Sequence, residues 1–462
     1  MAMILAETTC GTVQGVRGNS QGFTVFRGIP FAAPPVGELR FAPPQPPVPW
    51  KGIRLCDHWP KTCIQAEGSF GLFNREFYPA PKEMDEDCLY LNIWTPASEP
   101  GEKLPVFFWI HGGGFCGGFS YEQEMDGEAA CKRGCVQVTI QYRCNSFGFF
   151  AHPKLKEKFS HTGNQGILDQ IAALRWVREN ITAFGGDPEN ITIHGQSAGA
   201  MSVRILLTSP LCRGLMKRAI IQSGGCINEW SGFDTEEEQA AFGEKLLRKA
   251  GLTLEDALEL PAKELYSRFT NALEQRGPAI LFRPCIDRYV LDKTPGKAIC
   301  AGETNTESIM AGFVAGDAGL QAMRSGVDPS ERAVCFGSLI ALGRQRIRAG
   351  KPPIYGYYFD RNLPGDDNGA WHTCELWYMF GTMHRCWRPW TPYDYELSDA
   401  LSDYWCAFAR SGDPNVQGRP HWAPYTSETP VLMHISDSGY ASDDMGPLTA
   451  EDEKVIEFLG RT

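Results

Sequence analysis

Hydrophobic positions along this chain fall into two rhythms. Val136-Gln137-Val138-Thr139-Ile140 alternates apolar with polar residues, the period of a strand. Ile167, Leu168, Ile171, Leu174 and Val177 recur instead at helical spacing, and Leu397, Leu401, Trp405 and Phe408 do so again towards the carboxyl end. Pro105-Val106-Phe107-Phe108-Trp109-Ile110 and Ile191-Thr192-Ile193-His194 are strand-sized apolar runs, and Ala200 to Leu207 has the composition of a helix. Strands alternating with helices predict an α/β fold: a large, mostly parallel central sheet with helices on both faces. In such a fold, reactive groups gather at the carboxyl ends of the strands.

Two of the predicted strands run into turns with chemical meaning. Gly195-Gln196-Ser197-Ala198-Gly199 joins a strand to a helix, so Ser197 stands at the apex of a sharp turn with its hydroxyl projecting out of the fold. Glycines two residues to either side let the strand and helix backbones approach closely. The pattern is weak by itself in 462 residues that include 49 glycines, where a glycine-rich loop tip is the competing reading. Its weight comes from what accompanies it. A serine hydroxyl attacks nothing at neutral pH without a base for its proton and donors for the developing oxyanion. His111-Gly112-Gly113-Gly114-Phe115 directly follows the 105–110 strand and leaves backbone N–H groups unobstructed. Gly113, Gly114 and Ala198 are the predicted oxyanion-hole donors.

With this elbow the base is a histidine carboxyl-terminal to the serine. His372, His384, His421 and His434 qualify by order. His421 abuts Trp422 in a proline-bearing, surface-like segment, and His434 sits inside the strand-like run Val431 to Ile435. The loop-like approach Gly369-Ala370-Trp371 favours His372, although spacing alone does not exclude His384. For the acid, Glu303, Asp317 and Asp360 are equally plausible strand-end carboxylates on the residues alone.

Several motifs in order give the chain a resemblance to the type-B carboxylesterases, the cholinesterase-like branch of the α/β-hydrolases. They are Phe26-Arg27-Gly28-Ile29-Pro30-Phe31-Ala32 with Leu39-Arg40-Phe41, Glu86-Asp87-Cys88-Leu89-Tyr90-Leu91-Asn92, Phe184-Gly185-Gly186-Asp187-Pro188, Gln222-Ser223-Gly224, and Phe408-Ala409-Arg410-Ser411-Gly412-Asp413-Pro414. The resemblance implies an α/β-hydrolase fold and a cofactor-independent serine esterase acting on a small-molecule ester. It matches Gly302 to Ser308 with the segment bearing the family's acid, which implies Glu307, and Gly369 to Gly381 with the histidine segment, which implies His372. It also implies a hydrogen bond from Ser223 to the triad carboxylate, and a substrate pocket that includes Phe115, Trp230 and Tyr78. Tyr78 stands where cholinesterases carry a tryptophan for quaternary ammonium, so choline esters are not the expected substrate. Gln196 replaces a glutamate common in the family and removes a negative charge beside the nucleophile. Secreted relatives join the cysteines matching Cys63 and Cys88.

Composition narrows the partners. Hydrophobic residues at 43% and charged residues at 21% are those of an ordinary globular enzyme. Length alone suggests more than one domain, but no linker is apparent and Pro43 to Pro49 reads as an ordered arm, so residues 1–462 are expected to form a single domain. A net charge of −11 without a basic stripe argues against nucleic acid. The amino terminus lacks a positive n-region and a long apolar run, and no segment is long enough to span a membrane, so a cytoplasmic protein is expected. Sixteen cysteines then read as thiols, Cys63 and Cys88 among them. Cys131 and Cys135 lack the second ligand pair of a zinc site, so no metal is expected, and sequons at Asn180 and Asn190 have no role without secretion. Two rival functions share these features. The same triad serves amides, thioesters or lactones, and a cholinesterase-like fold also serves as a non-catalytic binding module, which would not need the serine.

Overall fold

The structure is a computed structural model that describes residues 2–457, apart from 21, 68–75, 77–82, 228–232, 274–281, 307, 318–330, 427, 430, 444–449, 451–452 and 455. Its strands are β1 (Leu5–Thr8), β2 (Gly11–Gln14), β3 (Val16–Arg17), β4 (Thr24–Pro30), β5 (Ile53–Leu55), β6 (Tyr90–Thr95), β7 (Leu104–Ile110), β8 (Val136–Ile140), β9 (Gly186–Gln196), β10 (Arg218–Gln222), β11 (Ser308–Val314), β12 (Tyr355–Phe359), β13 (Leu432–Ser436) and β14 (Gly439–Asp443). β1, β2 and β5 form a small sheet near the amino terminus. The other strands form one sheet in the order β14-β13-β12-β11-β10-β9-β7-β8-β6-β4-β3. From β8 through β7, β9, β10, β11 and β12 to β13 every neighbouring pair is parallel, and antiparallel strands close both margins. This is the mostly parallel sheet that the strand and helix rhythms predict.

Side-chain alternation divides the central strands between two apolar cores. On β7, Val106, Phe108 and Ile110 enter one core while Phe107 and Trp109 enter the other; on β11, Ile309, Ala311 and Phe313 part from Met310 and Val314 in the same way. The first core takes in the helices Gln165–Asn180 and Ala198–Thr208 through residues such as Ile171, Leu174, Val203 and Leu206. The second takes in the helix Pro392–Ser411 through Leu397, Leu401, Trp405 and Phe408, the four residues of the predicted stripe. Burial of both faces explains the long apolar runs, since a strand covered above and below has no side for water.

The same burial extends to β8. It is the strand that its alternation predicts, and all five residues, polar ones included, are buried. The polar ones are satisfied inside: Thr139 accepts from Asn92, and the Gln137 amide meets the His194 ring at 3.2 Å. The helix Pro392–Ser411 has its ends written locally. Thr391 and Asp394 form a reciprocal capping box, Pro392 occupies the first turn, and Gly412 closes the helix at φ 86°.

No helix among the described residues is long and apolar enough to cross a membrane.

Candidate functional site

β9 ends at Gln196 and the helix Ala198–Thr208 begins one residue later, with Ser197 held between them at φ 57°, ψ −127°. A left-handed φ costs a residue with a Cβ atom and persists only where its surroundings enforce it. Here the enforcement is visible. The Ser197 N–H donates to the Gln222 carbonyl at 3.0 Å, and its carbonyl accepts from the Met201 N–H at 2.9 Å. The flanking glycines are set by space: a Cβ on Gly199 would lie 2.0 Å from the Ile110 carbonyl oxygen, and one on Gly195 would lie 2.6 Å from the Gly199 carbonyl carbon. Strand, turn and helix are therefore in backbone contact with the end of β7.

The residues that follow β7 form a glycine loop around the serine. A Cβ on Gly112 would come within 3.2 Å of Ser197 Cβ and 2.9 Å of the Gln196 carbonyl oxygen. Gly113, Gly114 and Phe115 then run at φ 95°, 61° and 60°. The Gly113 carbonyl accepts from the N–H groups of Cys116 and Gly117. Among the described residues, no acceptor takes the N–H of Gly113, Gly114 or Ala198. Phe115 turns its ring into the core, edge-on to Phe149 with centroids 5.3 Å apart. His111 stacks on Tyr142 at 4.4 Å, and burial lowers its pKa to about 4, so the imidazole beside the loop is neutral.

His372 lies on the loop after β12. A bridge between Gly316 and Trp371, with the Gly316 N–H donating to the Ala370 carbonyl at 2.8 Å, ties that loop to the end of β11. The consequence is a buried contact of 2.5 Å between His372 Nδ1 and Asp317 Oδ1. Asp317 is fully buried, and its Oδ2 faces the Val314 N–H at 3.4 Å. On its other side the imidazole meets Gln196, whose Nε2 is 3.2 Å from His372 Nε2 and 3.4 Å from Nδ1. His384 is exposed on the turn Met383–Arg385, His421 is exposed, and His434 lies in β13, 3.6 Å from Asp360. Of the four histidines, His372 is the one placed against the elbow.

Of the three carboxylates that the residues alone left open, one reaches His372. Glu303 is on the surface, paired with Lys293 at 2.9 Å, and Asp360 faces His434, which leaves Asp317 as the carboxylate on His372. Glu307 itself lies outside the described residues. β11 runs parallel to β10, which runs parallel to β9, so its amino end is the edge of the sheet away from Ser197. Six further residues, roughly 20 Å of strand, separate the two ends. Asp317 sits just beyond the carboxyl end, where a partner for His372 has to be. The apolar run Ile309 to Val314 is the signal that the sequence held, since it puts Asp317 after a strand.

Ser223 follows directly on β10. Its φ is 51° and its N–H donates to the Gly312 carbonyl at 2.9 Å, but its buried Oγ hydrogen bonds to none of the described residues, Asp317 included. Trp230 and Tyr78 lie outside the described residues. A further carboxyl does approach the site, that of Glu375, three residues past His372. It is fully buried, with Oε1 3.4 Å from Gln222 Nε2 and Oε2 without a hydrogen bond among the described residues. Burial first, and the nearby charge of Asp317 second, push its pKa up to about 7.

Cys63 and Cys88 are buried thiols, and Cys63 is shared between the thiols of Cys88 and Cys144. Cys131 and Cys135 are buried as well, the latter against Cys406. Among the described residues no group of three or more His, Cys, Asp or Glu side chains is arranged to hold a metal ion.

Comparison with known proteins bears on this geometry. The model of the carboxylesterase family matches residues 3–333 and 332–447. The chain is 30% identical to para-nitrobenzyl esterase of Bacillus subtilis, over 92% of the chain and 93% of that protein. It is 32% identical to the medium-chain fatty acyl-CoA hydrolase precursor of Anas platyrhynchos, over 92% of the chain and 87% of the relative. Among solved structures, a carboxylesterase of Geobacillus stearothermophilus superposes with a TM-score of 0.81 at 31% identity, covering 98% of this chain and all of that one.

Proposed function

The chain belongs to the carboxylesterase family, and from that premise we propose that it hydrolyses carboxylic esters in two steps, through an acyl-enzyme on Ser197. The observation that carries this reading is the 2.5 Å contact of His372 with Asp317 beside the strained Ser197 turn. A histidine whose Nδ1–H is held by a carboxylate keeps Nε2 as the basic nitrogen, and the carboxylate stabilises the imidazolium as it forms.

In the first step the Ser197 oxygen attacks the ester carbonyl carbon while His372 takes the hydroxyl proton. The carbonyl oxygen becomes an oxyanion facing the N–H groups of Gly113, Gly114 and Ala198. The carbon–oxygen bond to the alcohol then breaks, and His372 returns its proton to the departing oxygen. In the second step water gives its proton to His372 and attacks the acyl-enzyme; the acid leaves and Ser197 recovers its proton. The triad is thus Ser197, His372 and Asp317, with no cofactor taking part.

Thioesters are the second substrate class to weigh, because one relative is named a fatty acyl-CoA hydrolase. The same steps then release a thiol, which needs less help from the protonated histidine. The direct test is Ser197→Ala. It is expected to fold, to lose the burst of product from an activated aryl ester, and to escape labelling by a fluorophosphonate. An undiminished burst overturns the proposal.

A further inference from the structure

The Gln196 amide occupies a particular place on His372. Its nitrogen is nearly equidistant from the two ring nitrogens, at 3.2 and 3.4 Å. Such a point in the plane of the ring would collide with Cε1, which lies between those nitrogens. The amide therefore approaches the face of the imidazole, as an N–H against a π system, and not its rim. The rim is occupied on one side by Asp317 at Nδ1.

Gln196 has little freedom to leave. It is buried, and its backbone is paired with Gln222 in the sheet. Its Oε1 lies 3.3 Å from the position a Cβ on Gly112 would take, so the glycine loop walls the amide in from the other side. The ring is gripped between a carboxylate on its edge and an amide on its face, one from the end of β11 and the other from the end of β9.

We infer that Gln196 is a positioning residue for His372: its amide fixes the tilt of the ring, so that Nδ1 stays on Asp317 while Nε2 is aimed at the Ser197 hydroxyl. The inference rests on the acyl-enzyme reading above and adds to it the group that sets the orientation of the base. It also gives the amide an electrostatic part. Among the described residues, the charged or titratable groups facing the ring include Asp317, from the end of β11, and Glu375, from the segment following His372. Gln196 adds a neutral side chain to this set, with a donor hydrogen on the π face. A carboxylate in the same place would favour the protonated ring, which is inactive as a base.

The test compares wild type, Gln196→Leu and Gln196→Glu on p-nitrophenyl acetate across pH, with rates normalised to sites titrated by fluorophosphonate. Gln196→Leu keeps the bulk but removes the amide, and is expected to lower kcat about tenfold with KM changed by less than about twofold. Gln196→Glu restores a planar polar group and is expected to recover most of kcat on the alkaline plateau, while its acid limb in kcat/KM moves up by about half a pH unit or more. Wild-type kcat in Gln196→Leu overturns the inference, and so does an unmoved acid limb in Gln196→Glu. If Gln196→Leu fails to fold, the acid limb of Gln196→Glu decides alone. A wild type without a burst at Ser197 refutes the acyl-enzyme reading, and the variants are then not needed to say so.

Discussion

His372 and Asp317 meet at 2.5 Å although 55 positions of chain separate them. The contact is made by topology: β11 and β12 are parallel neighbours, and the loops that leave their carboxyl ends are bridged at Gly316 and Trp371. A carboxylate at this site has two tasks, to select the imidazole tautomer and to balance the charge that appears on the ring during attack.

Asp317→Asn keeps the shape and removes both. Its kcat on an aryl ester is expected to fall by about three to four orders of magnitude with folding intact. Glu307→Gln is expected to stay within about twofold of wild type. Measured together, the two variants identify the acid; a large loss in Glu307→Gln with little in Asp317→Asn would reverse the assignment.

Two glycines near Ser197 predict different failures. A methyl on Gly199 would sit 2.0 Å from the Ile110 carbonyl, inside the backbone contact between helix and strand. Gly199→Ala is expected to cost at least about 3 kcal/mol of stability, seen as a lower urea midpoint or as insoluble protein. A methyl on Gly112 meets Ser197 Cβ at 3.2 Å and the Gln196 carbonyl oxygen at 2.9 Å, in a loop that is not in a helix or strand. Gly112→Ala is expected to fold, with kcat reduced about tenfold or more as the serine and the N–H donors are pushed apart.

Glu375 makes stability depend on pH. With its pKa raised to about 7 by burial, the folded protein holds that proton more tightly than the unfolded chain, whose carboxyl titrates near 4.5. The neutral form is therefore tolerated below pH 4.5, and stability erodes as pH climbs from there through 7. The full penalty at pH 8 is about 3 kcal/mol. Glu375→Gln is expected to be more stable than wild type at pH 8 and to lose most of that advantage by pH 5, by urea denaturation at both values. Equal gains at the two pH values would assign the effect to packing.

Local parts of the site were legible because local chemistry writes them. Gly195 and Gly199 are required by contacts within a few residues of Ser197, and Gly113 and Gly114 adopt the left-handed φ that glycine favours, so strand, turn and oxyanion loop could be read from the chain. The helix Pro392–Ser411 was equally plain in its stripe and its caps. The parts that failed were those decided at long range. The run Ile309 to Val314 puts Asp317 after a strand, but Asp360 also follows one, and only the sheet order and the direction of β11 decide which of them faces His372. The alternation of β8 marks a strand without saying that both of its sides are covered. The place of Gln196 over the imidazole was hidden for the same reason, since it depends on how the end of β9 meets the loop that follows β12.

The backbone contact of Gly199 with the end of β7 has one more consequence. The attacking serine is thereby anchored to the central sheet, while the glycine loop and the loops that carry His372 and Asp317 lie outside its strands. On heating, catalytic activity is therefore expected to fall with the loops that hold His372 and Asp317, at a temperature below that at which the sheet itself melts.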